Sequence, residues 1–98
     1  MAIVRAMMLS LLLACASEVT GDPVAGAELY AANCSSCHGD DGKLGTGGAA
    51  DLTVTVPSRS ADELTEVIQS GYEDMAPVAL DDEETGDVVA YLRETFGG

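Results

Sequence analysis

Cysteines at positions 34 and 37, followed directly by His38, constrain this 98-residue chain more than any other feature of it. A chain of this length suggests one domain, and a domain that small buries little surface. Small exported domains are usually completed by disulfides, a metal or another staple. The third cysteine, Cys15, falls in an N-terminal leader, so only Cys34 and Cys37 belong to the folded body. A bridge between residues so near in sequence would close a tiny loop and constrain the unfolded chain little. Some other group has to complete the core.

The leader is read from Arg5 as a positive n-region, an apolar run from Ala6 to Ala14 and small residues around Cys15. That run is too short to span a bilayer as a helix, which takes about 20 residues. Two cleavages compete. Ala14-Cys15-Ala16 suits ordinary signal peptidase and would release a soluble protein starting at Ser17; Leu12-Leu13-Ala14-Cys15 resembles a bacterial lipobox and would make Cys15 a lipidated N-terminus. The expected division is a leader over 1–16, a short small-residue tether over 17–21 and a folded domain over 22–98. Both cleavages imply export to the bacterial periplasm, in the second case with a membrane anchor. Losing Arg5 leaves Lys43, Arg59 and Arg93 against 17 acidic residues, one unit more negative than the −13 of the full chain. Such a field excludes nucleic acid and anionic membrane surfaces as partners and favours encounter with basic protein patches.

Asp22-Pro23 is a helix start, a capping side chain followed by proline at the first helical position, and the helix should run to about Asn33. Ala27, Tyr30 and Ala31 would mark its inner face, and Gly26 would let another helix backbone approach closely. Gly39 to Ala50 is glycine-rich without apolar periodicity and reads as a wrapping loop. Leu52, Val54 and Val56 alternate like a strand, but no second run exists to pair with them, so Asp51 to Pro57 is expected to be extended loop. Ser60 with Glu63 is a capping box for a helix from Ala61 to Ser70, with Leu64, Val67 and Ile68 as its stripe and Gly71 as its stop. Asp81 with Glu84 repeats the pattern ahead of Val88, Tyr91, Leu92 and Phe96. Gly86 is a flaw in that last helix, costing up to ~1 kcal/mol relative to alanine. The expected fold is all-α, three main helices with long loops around one large apolar cofactor.

Cys34-Ser35-Ser36-Cys37-His38 is the pattern of covalent haem attachment. Two thiols on a tight turn can reach the two vinyl groups of a porphyrin rim and form thioethers, while the adjacent histidine is directed at the iron. With Leu29-Tyr30-Ala31-Ala32-Asn33 leading into this run, the glycine-rich loop and the later Met75, residues 22–96 resemble class I cytochrome c. The resemblance implies a cytochrome c-like fold, one covalent haem c, crossing terminal helices at Gly26, Tyr30 and Tyr91, and a methionine from the far loop as sixth ligand. Met75 is the only methionine outside the leader and takes that position. Family members commonly carry Gly-Pro-x-Leu after the wrapping loop, the proline carbonyl accepting the outer proton of the iron-bound histidine. Here the run is Gly48-Ala49-Ala50-Asp51-Leu52, where an alanine carbonyl has to serve. The family's Met-Pro is likewise Met75-Ala76-Pro77.

A histidine and methionine pair raises the reduction potential and fills the iron's coordination sphere, which suits a single-electron carrier and not an enzyme. The implied partners are larger redox proteins with basic docking patches. Tyr72 and Arg59 are secondary candidates, for a haem propionate or, in the case of Tyr72, the methionine sulfur. The alternative function is a haem-based sensor or ligand binder in which Met75 dissociates. A thioredoxin-like cysteine pair lacks its βαβ context, and a zinc site lacks a fourth ligand.

Overall fold

The computed structural model describes residues 21–97. The leader, Cys15 and most of the tether lie outside the described residues. Five α-helices appear there, α1 (Pro23–Asn33), α2 (Ser35–His38), α3 (Leu52–Thr55), α4 (Ala61–Ser70) and α5 (Asp82–Phe96). Single 3-10 turns cover Thr46–Gly48 and Val56–Ser58, and an isolated bridge joins Tyr72 to Met75. The described residues are thus all-α. Among them no helix is long and apolar enough to cross a membrane.

Each long helix starts where its side chains satisfy the free backbone N–H groups. Asp22 accepts from the Val24 amide at 2.9 Å, with Pro23 in the first turn. Ser60 and Glu63 cap each other's amides at 3.1 and 2.8 Å, and Asp81 and Glu84 do so at 2.8 and 3.0 Å. Caps of this kind contribute about 1 kcal/mol each.

The first and last helices cross at Gly26. A Cβ there would fall on the Asp87 carbonyl and lie 2.9 Å from the Tyr91 Cβ, so only a residue without a side chain allows the approach. Around the crossing, Tyr30 packs on Tyr91 and Phe96 with ring centroids 5.2 and 5.9 Å apart. The Asp22 amide donates to the Asp87 carboxylate at 2.8 Å, tying the start of α1 to α5. Leu64 and Ile68 bring α4 onto Val88, Val89 and Leu92 of α5 in the same core. Gln69 donates to Asp82 at 2.8 Å across that second contact, beside the fully buried Thr85.

Two expectations are corrected. The inner face of α1 is Gly26 and Tyr30 with Ala27 half-buried, while Ala31 is exposed, because the helix turns its i, i+4 pair and not the i+5 position toward α5. Asp51 to Pro57 is not extended: Leu52–Thr55 is helical and Val56–Ser58 a 3-10 turn. Three alternating apolar residues also satisfy a helix, in which Leu52 and Val56 fall one turn apart. Both are buried, and Val54 between them is 67% exposed. The Asp51 side chain supplies the cap, and burial overrides the strand preference of the β-branched residues.

Candidate haem-attachment site

α1 hands the chain directly to the cysteines. Its carbonyl at Tyr30 accepts from the Cys34 amide at 2.8 Å, and the Ser35 hydroxyl donates back to Ala31 at 2.9 Å. The Cys34 carbonyl accepts from His38 at 3.0 Å, so Cys34, the N-cap of α2, sits on one tight turn with Cys37 and His38. Both thiols are free. Cys34 is half-buried against the core, which pushes its thiol up to about 11, and Cys37 is exposed. Burial disfavours the thiolate, so the Cys34 thiol stays neutral around pH 7.

His38 is held from three directions. The Tyr30 hydroxyl donates to the Gly39 carbonyl next to it, and burial pushes that phenol up to about 12. The Leu44 amide donates to the His38 carbonyl at 2.9 Å. On the ring, Nδ1 lies 3.0 Å from the Ala50 carbonyl. A carbonyl only accepts, so Nδ1 carries a proton, and in the neutral tautomer this selects, Nε2 is the nitrogen with a lone pair for a metal. The alanine carbonyl read from the sequence as a stand-in thus does reach the ring.

Met75 stands on a different element, the turn after α4. Tyr72 and Met75 exchange backbone hydrogen bonds of 2.9 and 2.8 Å across Glu73 and Asp74. Glu73 has φ 51°, the one positive value at a non-glycine position among the described residues. Gly71 precedes the turn at φ 82°, where a Cβ would meet the Met75 carbonyl at 2.8 Å and the Pro77 ring at 2.9 Å. The Val78 amide then returns the chain to the Ile68 carbonyl at 2.8 Å. Arg59 and Tyr72 pair with each other, the guanidinium 5.1 Å from the ring centroid. Together they line an open groove of about 320 Å³ with Asp62, Glu63 and Glu66.

These residues fit a covalent haem. Two unpaired thiols flank one helical turn, the His38 ring is anchored through Nδ1 with Nε2 as its other nitrogen, and the apolar residues Leu44 and Val54 are 58% and 67% exposed in the segments after it. Sequence reasoning did not find the Tyr30 clamp on Gly39 or the Asp51 cap. The first has no local signal, since its partner is a backbone atom; the second was written in Asp51-Leu52-Thr53, an acid two residues before a hydroxyl at a helix start.

No curated protein and no solved structure matches the chain. The family described as "Cytochrome C oxidase, cbb3-type, subunit III" matches residues 21–92, most of the sequence. The chain belongs to that family of c-type cytochrome domains, which carry covalently bound haem c and transfer electrons to redox partners.

Proposed function

We propose that this protein is a periplasmic single-electron carrier whose haem c is joined to Cys34 and Cys37 by thioethers and coordinated by His38 and Met75. The observation that carries the reading is the 3.0 Å contact from His38 Nδ1 to the Ala50 carbonyl. It fixes the tautomer and ring direction that an iron ligand needs and makes the ring a more basic donor.

When bound, the haem supplies a one-electron ferric/ferrous couple. The protein's part would be to hold the two donors, His38 and Met75, still and to shield the bound group from water. His38 is fixed by backbone on both sides and by its ring bond. Met75 is delivered by a four-residue turn locked between Gly71 and Pro77. As a ligand, the Met75 thioether sulfur would favour the ferrous state and raise the potential. With only Lys43, Arg59 and Arg93 as basic residues in the domain, the surface is suited to redox proteins with basic docking patches. Export, by simple cleavage or with lipidation at Cys15, completes the proposal.

Optical spectra of protein from a host competent in cytochrome c maturation test the ligand pair. The oxidised protein should show the weak far-red band of sulfur ligation, and Met75→Ala should abolish it. A wild-type protein without that band, whose ferrous form takes up carbon monoxide readily, would instead establish a ligand-binding cytochrome. The left-handed Glu73 within the Met75 turn is the one observation that favours this second reading.

A further inference from the structure

The His38 ring depends on one carbonyl, and Ala50 has no side chain with which to aim it. The direction of that carbonyl is the direction of the peptide plane joining Ala50 to Asp51, set by ψ of the first and φ of the second. Asp51 is held at φ −75° and ψ 110° by the start of α3. Its Oδ1 accepts from the Thr53 amide at 2.9 Å and the Thr53 hydroxyl at 2.6 Å. Its own carbonyl accepts from Val54 and Thr55 at 3.1 and 3.0 Å, and the next amide, Leu52, donates to Gly42 at 2.8 Å. In the preceding peptide the Ala50 N–H has no backbone partner among the described residues. Apart from the His38 ring itself, the anchors next to the Ala50–Asp51 plane are those at Asp51 and Leu52.

We propose that Asp51 is a positioning residue for the proximal ligand: its capping bonds to Thr53 hold the Ala50–Asp51 peptide plane, and through it the hydrogen bond to His38 Nδ1. The carboxylate acts through backbone and not by contact with the ring. Its bond to the Thr53 hydroxyl keeps the Asp51 carboxyl below the usual carboxylate range, so it remains an acceptor through the neutral range. This rests on the reading of His38 as an iron ligand.

The test is exchange of the His38 Nδ1 proton in the ferrous haem-loaded protein, followed by NMR alongside the reduction potential. Asp51 is exposed, so its variants leave the core intact. In Asp51→Asn the amide oxygen still caps, and exchange should match wild type. In Asp51→Ala the cap is lost and exchange should accelerate about fivefold, the factor expected for a cap of ordinary strength. The potential of Asp51→Ala should also lie above that of Asp51→Asn, because both lose the charge but only the first loosens the ring. Exchange in Asp51→Ala equal to wild type, or equal potentials in the two variants, would each overturn the proposal. His38 ring signals without the upfield ring-current shift of an iron-bound imidazole would overturn the ligation reading itself.

Discussion

Gly26→Ala adds one methyl group where α1 crosses α5, and two effects of opposite sign meet there. Replacing glycine by alanine in a helix interior is favourable by about 1 kcal/mol. Against this, the new Cβ would fall on the Asp87 carbonyl and lie 2.9 Å from the Tyr91 Cβ. Neither atom is the end of a flexible side chain, so the helices have to separate as bodies. Overpacking of this kind costs about 1–3 kcal/mol, and a clash against backbone belongs at the upper end. Separation also loosens the Tyr30 pairs with Tyr91 and Phe96, at 5.2 and 5.9 Å, and the 2.8 Å bond from Asp22 to Asp87. Each aromatic pair contributes about 0.5–1.5 kcal/mol, of which part is lost. The net destabilisation is about 2–3 kcal/mol. In a domain of this size that lowers Tm by roughly 10–20 °C. Thermal unfolding of the haem-loaded protein, followed by far-ultraviolet circular dichroism, gives the answer. An unchanged or higher Tm would mean that helix propensity outweighs the crossing and would refute the argument.

Tyr30→Phe keeps the ring and removes the hydroxyl that donates to Gly39, which should cost about 1 kcal/mol in denaturant unfolding. The same variant has a pH signature. Burial raises the Tyr30 phenol from 10.0 to about 12, so its contribution is complete below pH 10 and is lost as pH rises toward 12; the variant should show a flatter loss of stability across that window. Glu73→Gly should stabilise, because a left-handed residue with a side chain costs about 1–2 kcal/mol and glycine returns roughly half of that after its own entropy cost. A higher denaturant midpoint is the expected result, and a lower one would show that the Glu73 side chain holds the turn by contacts that outweigh its backbone strain.

What the sequence made legible was what depends on neighbours along the chain. The capping boxes at Ser60/Glu63 and Asp81/Glu84 are three-residue signals and formed as read. Gly26 was readable because a glycine inside an otherwise good helix has few other reasons to be there. The error at Leu52 to Ser58 came from periodicity over too short a run: three apolar residues at alternate positions fit a strand face and a helical pair equally, and Asp51 is the residue that decides between them. Arg59 and Tyr72 were read as separate candidates, each for a haem propionate and Tyr72 also for the methionine sulfur; the fold adds that one stacks over the other. Nothing local announces a contact between residues so far apart in sequence.

The same distinction runs through the site. Thioether attachment needs two thiols on one turn, and the residues proposed for it, with the proposed ligand His38 beside them, are compressed into Cys34 to His38 and visible in any reading. The direction of the His38 ring is not. It depends on Tyr30 reaching Gly39, Leu44 reaching the His38 carbonyl and Ala50 reaching Nδ1, contacts that close loops from the first helix and the wrapping segment. Each is made by or to a backbone group, so the side chains involved carry little trace of it. The attachment chemistry is therefore local, while the ligand geometry is a property of the folded domain. Substitutions such as Gly26→Ala, at the helix crossing and not in the Cys34 to His38 turn, should reach the His38 ring by way of Tyr30.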